Sequence, residues 1–537
     1  MKNRLNPYLK LISLIVVTIM IGMYFTTLNL KGKSKAQQTI GAKNSNNDII
    51  PKPQSCKGGE GKFVINDDTS IYVKGNSEQE TEEISKIAEF IKGKLKVATG
   101  YALNIIKEDN PPAGNIYLTT IGSEEDKGDE GYKMITSPKN IKIIAYRPKG
   151  ISRGIQTLRQ LLPADIEKET VVTDVEWSIP VSTIDDKPEY AYRGLMLDVA
   201  RHFFTIDEVK RQIDHAAQYK INKVHLHLSD DQGWRLEIKK WPGLTSIGGS
   251  TQVGGGPGGY YTQEEFKNLV EYAAERYIEV IPEFDMPGHS NAALASYGFL
   301  NEDGKKKPLY TGIEVGFSSF MTHDEKTYEF IDDIIREVSE ISPSKYFHIG
   351  GDEALNTKKI DYDYFVGRVA KIVEKYGKTP IGWDPIDTSP EISSSVVLQN
   401  WKDTNNAARE KNMPIIMSIA KKAYLDMKYD ESTPYGLNWA GYIPVETAYK
   451  WDPTEYAPKK LLLGIEAPLW TETIPDSKAM DYMIYPRLLG YAEIGWTSQS
   501  ARNWDDFKSR LETQGARMKN QGINYYHDKS VWKSGKE

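Results

Sequence analysis

The chain is almost without cysteine: 537 residues contain one, Cys56. A single thiol excludes an intramolecular disulfide framework and any cysteine-built zinc or iron–sulfur centre. Basic charge is not in excess either. Lys and Arg number 68 against 74 Asp and Glu, a net charge of −6, so there is no bulk positive surface and no nucleic-acid partner is expected. Long hydrophobic runs are missing with one exception, residues 11–28 (LISLIVVTIMIGMYFTTL), which follow Lys2, Arg4 and Lys10. An uncharged run of that length behind basic residues is a signal peptide or a single membrane anchor, and we assign residues 1–30 to it. The following KGKSKAQQ offers a poor small-x-small cleavage site, so anchored and secreted forms both stay open. Either way, the rest of the chain is expected to work outside the cytoplasm. Aromatic residues, by contrast, are plentiful: 11 Trp and 32 Tyr. They are either core filler or the walls of a site for flat ligand faces.

Composition shifts divide the rest. Residues 31–60 are rich in Asn, Pro, Lys and Gly and read as a flexible linker, with Cys56 a bystander. Residues 61–186 mix strand-like runs (FVIND, SIYVKG, NIYLTT, NIKIIAY) with two helical stretches, EQETEEISKIAEFIKGKLKVAT and KGISRGIQTLRQLL. This predicts a small α+β domain, with VSTIDDKPEY as its exit linker. It contains no catalytic constellation. From 187 to 527 a strand-like run recurs eight times: GLMLDVA, KVHLHLSD, IEVIPEFD, YFHIGGDE, TPIGWD, VVLQNW, PIIMSIA leading to AYLD, and LLLGIEAPLW. Amphipathic helices such as TIDEVKRQIDHAAQYK and TQEEFKNLVEYAAERY lie between them. Eight such units fit a (β/α)8 TIM barrel. A doubly wound sheet gives no reason for eight, and no glycine-rich nucleotide turn follows the first strand. Residues 528–537 form a short tail.

The functional signal is where the polar residues fall. Nearly every strand-like run ends in acids, tryptophans or histidines: Asp198, Asp230 and Asp231, Glu283 and Asp285, Asp352 and Glu353, Trp383 and Asp384, Trp401, Tyr424 and Asp426, Trp470 and Glu472. In a barrel these ends share one face, and that face carries the active site. Acids beside flat aromatic rings suit a sugar and suggest glycoside hydrolysis. Asp352 and Glu353 are adjacent, and neighbours on a strand point to opposite sides. They therefore do not form the opposed nucleophile–acid pair of most retaining glycosidases. An acetamido group at C2 of the substrate could instead attack the anomeric carbon. The protein would then supply a general acid with a raised pKa and a carboxylate to steady the amide.

At this point the motifs YRGLMLDVARHF (192–203), HLHLSDDQGWR (225–235), VIPEFDMPGHS (280–290) and HIGGDE (348–353) carry a resemblance. With AYLDMKYD, NWAGY and EAPLWTE, the chain resembles the family-20 β-N-acetylhexosaminidases over roughly residues 60–525. The resemblance implies an exo-acting, retaining enzyme that removes terminal β-linked GlcNAc or GalNAc through an oxazolinium intermediate. It implies Glu353 as general acid/base, Asp352 as the carboxylate on the acetamido group, and Tyr424 as donor to the acetamido oxygen. Arg193, Asp426 and Glu472 would hold sugar hydroxyls; Trp383, Trp401 and Trp470 would form the walls, with Trp439 toward the leaving side. Asp230, His289, Glu283 and Asp285 would support the acid from below. No cofactor or metal is implied.

Three rivals stay in view. His225 and His227 share one strand face, with His289 and His348 at other strand ends, which would suit a metal-dependent barrel hydrolase. A relative releasing a disaccharide needs a longer pocket. A non-catalytic sugar-binding protein would keep the tryptophans and lose an acid, whereas Asp352, Glu353 and Tyr424 are all present.

Overall fold

The computed structural model describes residues 48–532. The hydrophobic run 11–28 lies outside the described residues, among which no helix is long and apolar enough to cross a membrane.

The first domain is a seven-stranded mixed sheet. Its strands are β1 (Ser55–Val64), β2 (Ile71–Lys74), β3 (Ile105–Ile106), β4 (Ile116–Thr119), β5 (Tyr132–Thr136), β6 (Ile141–Ala145) and β7 (Ser178–Asp186). They run in the order β1-β7-β5-β6-β4-β2-β3. Helices Glu78–Thr99 and Pro148–Leu161 bury Ile84, Ile91, Leu95, Ile151, Ile155 and Leu158 together with the sheet residues Ile71, Leu118, Met134 and Ile143. Ser77 caps the first helix by accepting from the Glu80 N–H, and Gly100 ends it in the left-handed region at φ 80°.

Three boundaries differ from the sequence reading. The expected linker is ordered structure from residue 48 onward: Ile49 and Ile50 are buried, and Ser55–Val64 pairs antiparallel with β7. Its polar composition misled because β1 is an edge strand whose residues are mostly solvated. Cys56 lies in that strand. The supposed exit linker VSTIDD is the second half of β7, alternating between exposed and buried faces. At the other end, Val531 is buried and Trp532 donates to the Glu512 carbonyl, so the tail begins docked.

The second domain is a closed parallel barrel of β8 (Tyr192–Asp198), β9 (Lys223–His227), β10 (Glu279–Glu283), β11 (Tyr346–His348), β12 (Thr379–Trp383), β13 (Val397–Asn400), β14 (Ile415–Met417) and β15 (Leu462–Leu469). Seven of the eight strands fall inside the runs read from the sequence, and β8 starts two residues before its run, at Tyr192. Helices Ile206–Gln218 and Gln263–Ala274 start with full capping boxes, Thr205 with Glu208 and Thr262 with Glu265. These fix where each βα loop ends and its helix begins.

Arg193 belongs to the joint between the domains and not to a sugar pocket. As the second residue of β8 it sits at the barrel's N-terminal end. It donates to Glu130 at 2.5 Å, to the Lys220 carbonyl at 2.9 Å and to the Tyr190 carbonyl at 2.8 Å, with its guanidinium over Trp496. Burial alone would raise the Glu130 pKa, but Arg193 and Arg153 hold it well below the usual carboxylate range. Replacing Arg193 by Leu should therefore cost ~3 kcal/mol or more, because it strips a buried carboxylate of a partner. The expected result is a lower thermal midpoint with KM of the folded fraction unmoved; a raised KM at unchanged stability would return Arg193 to the sugar.

Candidate active site

At the C-terminal face the βα loops enclose a pocket of about 450 Å³. Asp352, Glu353 and His289 form one side, Tyr424, Trp401, Trp439 and Trp470 the aromatic side, and Arg201, Asp426 and Glu472 the closed end.

The acidic dipeptide is not on a strand. β11 stops at His348, and Gly350 and Gly351 then turn the chain through φ 66° and 102° before Glu353 at φ 44°. Only glycine fits at 350, where a Cβ would stand 1.8 Å from Asp285 Oδ1. Strand alternation therefore does not apply, and Asp352 and Glu353 line the same pocket. The turn is pinned by the Gly351 N–H donating to Asp285 (3.0 Å) and by the Tyr362 hydroxyl donating to the Gly351 carbonyl (2.7 Å).

His289, itself at φ 49°, stands between the two acids. Its Nε2 lies 3.5 Å from Glu353 and 3.9 Å from Asp352, while Nδ1 meets Asp230 at 3.1 Å. Burial works against a charged imidazole, yet Asp230 raises the His289 pKa well above its ordinary value. The His289 imidazole, 3.5 Å away, in turn lowers the Glu353 pKa, opposite to the expected rise. The expectation considered burial and missed the cation next door. Asp352 is different: burial pushes its pKa up, and its Oδ1 is a buried acceptor with no protein donor.

Tyr424 is buried, with its ring stacked on Trp401 at 6.5 Å and edge-on to Trp439 at 5.9 Å. Burial and the nearby Asp352 and Asp426 hold its hydroxyl protonated, a standing hydrogen-bond donor. At the closed end, burial and the neighbouring Glu472 raise the Asp426 pKa, and Asp426 Oδ1 also lacks a protein donor. Two acids of like charge with unfilled acceptors suit a ligand rich in hydroxyl groups.

Arg201 takes the place expected of Arg193. It pairs with Asp230 (2.8 Å) and Asp198 (3.4 Å), its guanidinium lies over Trp470, and it lines the pocket. Position along the strand was the available signal: Arg193 enters β8, whereas Arg201 follows its C-terminal end. Two further expectations change. Trp383 is fully buried, with its ring 5.6 Å from that of Trp470, and donates to Glu283 (2.7 Å). Asp230 is buried beneath His289 and Arg201, not at the sugar's surface. Glu283 and Asp285 lie underneath, as expected. Ile313, Val315 and Leu437 also line the pocket and were not found, because nothing in an apolar loop residue marks it in sequence.

Comparison with known proteins matches this architecture in both halves. Residues 190–499 fit "Glycosyl hydrolase family 20, catalytic domain" and residues 46–187 fit its "domain 2". The chain belongs to glycosyl hydrolase family 20. A curated relative, the β-N-acetylhexosaminidase of Cellulomonas fimi, is 37% identical over 86% of this chain and 92% of its own. Among solved structures, the family-20 β-N-acetylhexosaminidase of Streptomyces coelicolor A3(2) superposes with TM-score 0.86 at 44% identity, covering 91% of this chain and 99% of that one. A mutant Streptomyces plicatus β-hexosaminidase, solved with the product GlcNAc, matches at TM-score 0.86 and 45% identity over 91% and 98%. This family-20 member is a glycoside hydrolase with a TIM-barrel catalytic domain.

Proposed function

We propose that the pocket removes single terminal β-linked N-acetylhexosamine residues, with the substrate's own acetamido group as nucleophile. Glu353 protonates the leaving oxygen, drawing on the proton it shares with His289, and then takes a proton from the incoming water. Asp352 holds the acetamido N–H and balances the positive charge of the oxazolinium ion. Tyr424 donates to the acetamido oxygen, while Arg201, Asp426 and Glu472 hold hydroxyl groups at the closed end. Trp401 and Trp470 enclose the ring, and Trp439 faces the leaving group. The observation that supports this best is that Asp352 and Glu353, adjacent in sequence, both open into one pocket beside His289. The run 11–28 supports action on glycans outside the cytoplasm.

Incubation with a β-linked GlcNAc trimer tests the reading. The first product seen by proton NMR should be monosaccharide GlcNAc in the β configuration. Initial release of the α-anomer would refute substrate assistance, and a disaccharide freshly formed as the β-anomer, with the monosaccharide at its anomeric equilibrium, would refute the single-residue pocket.

A further inference from the structure

The barrel interior holds a line of ionisable side chains that the reaction above does not use. Starting at the end farthest from the pocket, the Tyr192 hydroxyl donates to Glu466 Oε2 at 2.5 Å. Glu466 Oε1 meets His225 Nδ1 at 2.9 Å. His225 Nε2 lies 2.9 Å from Glu283 Oε2, an ion pair bent away from ideal hydrogen-bond alignment. The same Glu283 oxygen meets His227 Nδ1 at 2.6 Å, and His227 Nε2 meets Asp230 at 2.7 Å. Asp230 then contacts His289, which faces Glu353. Carboxylate and imidazole alternate without interruption from Glu466 to Glu353, and every imidazole sits between two carboxylates.

The line has one outlet. Beyond Glu466 the interior turns apolar, where the Tyr192 ring packs with Ile281, Tyr346, Ile381, Val397 and Ile416. Glu466 Oε1 also accepts from the Gln399 amide, which reaches the Ser418 hydroxyl at 3.1 Å, but neither side chain is a charged group, so the charge balance of the line is felt at the pocket. Two neighbours touch the line directly: Arg201 Nη2 lies 3.4 Å from His289 Nδ1, and His348 Nδ1 lies 3.1 Å from Glu283. Arg201 binds Asp230 and Asp198, and Glu472 acts on Arg201. Asp231 is adjacent to Asp230 and is engaged by the Ser318 hydroxyl and the Asn291 N–H. Asp285 and Asp352 flank His289; burial raises both of their pKa values, helped by Asp352 at Asp285 and by Glu353 and Glu283 at Asp352. His348 stacks on His225 at 4.6 Å, and burial lowers its pKa.

We propose that Glu466, His225, Glu283 and His227 are positioning residues for the catalytic acid: the line holds His289 as a cation facing Glu353 and so sets the pH at which that pair loses its proton. Supporting this, Glu466 and Glu283 overcome the effect of burial and raise His225 to about 9, and His227 is raised further by Glu283 and Asp230.

The inference rests on Glu353 being the acid, and its test separates the two. As pH rises, loss of the pair's proton removes the acid and produces the basic limb of kcat/KM. Glu466→Gln removes an anion from the line and should move that limb down by about half a pH unit. His227→Gln removes a cation and should move it up by at least as much. Shifts of the same sign, or no shift in either variant, overturn the proposal even if Glu353→Gln behaves as an acid variant should. Should a variant fail to fold, wild-type protein labelled with ¹⁵N-histidine decides. At least three imidazolium rings should persist at pH 8, and fewer overturn the proposal.

Discussion

Glu353→Gln should lower kcat on a β-linked GlcNAc disaccharide by ~10³-fold or more, while aryl glycosides of strongly acidic phenols lose less than ~10-fold in the glycosylation step. The contrast follows from what the side chain does. A sugar alkoxide cannot depart without a proton, whereas an acidic phenolate can. His289 would still stand behind the amide, but at 3.5 Å from the Glu353 oxygen it hands its proton to that carboxylate and not to the substrate. The measurement is a plot of log kcat/KM against leaving-group pKa. Its slope should steepen in the variant, and equal losses across the series would remove Glu353 from the acid role.

The second large effect is on the substrate. Exchanging the 2-acetamido group for hydroxyl should cost ~10⁴-fold or more, because it deletes an intramolecular nucleophile whose effective molarity is of order 10⁵ M or higher. Two features of the pocket are committed to that group: the unfilled Asp352 Oδ1 and the protonated Tyr424 hydroxyl. A thiazoline mimic of the cyclic ion should accordingly bind far more tightly than the substrate. Asp352→Asn should lose much of that preference for the mimic, since a neutral amide cannot balance its positive charge. The sign of the pH dependence follows too. Burial raises the Asp352 pKa, so its anionic form is lost as pH falls at values above the usual aspartate pKa of about 4. The acid limb of kcat/KM should lie there. Normal turnover of the 2-hydroxy substrate would end the substrate-assisted reading.

The barrel was legible because its signal is repetitive: eight apolar runs, each ending in polar or aromatic residues and separated by amphipathic helices with clear N-caps. The site was legible where a residue's place on the strand fixes its direction. Where the backbone leaves the strand, that logic stops. The Gly350–Gly351 turn brings two adjacent acids into one pocket, and no residue period records this. Arg193 and Arg201 show the same limit from the other side, since one motif contains both, the resemblance was carried onto Arg193, and only their distance from the strand's end separates them. The Glu353 pKa was misjudged because the deciding neighbour, His289, lies 64 positions away in sequence. Edge strand β1 was missed because solvated strands resemble linkers in composition.

The joint below the barrel has a bearing on how this enzyme can be taken apart. Glu130 and Asp186 come from the first domain; Arg193, Lys220, Asn222 and Trp496 come from the second. Lys220 meets Asp186 at 2.9 Å, Asn222 meets Glu130 at 2.9 Å, and the Trp496 indole meets Asp186 at 2.8 Å, all out of solvent. A barrel cut free at residue 187 would expose the Trp496 ring, which lies in the first domain's core, and would strip two buried cations of their counter-charges. The small domain that carries no chemistry is thus the floor on which the catalytic one stands, and neither is a module to be grafted alone.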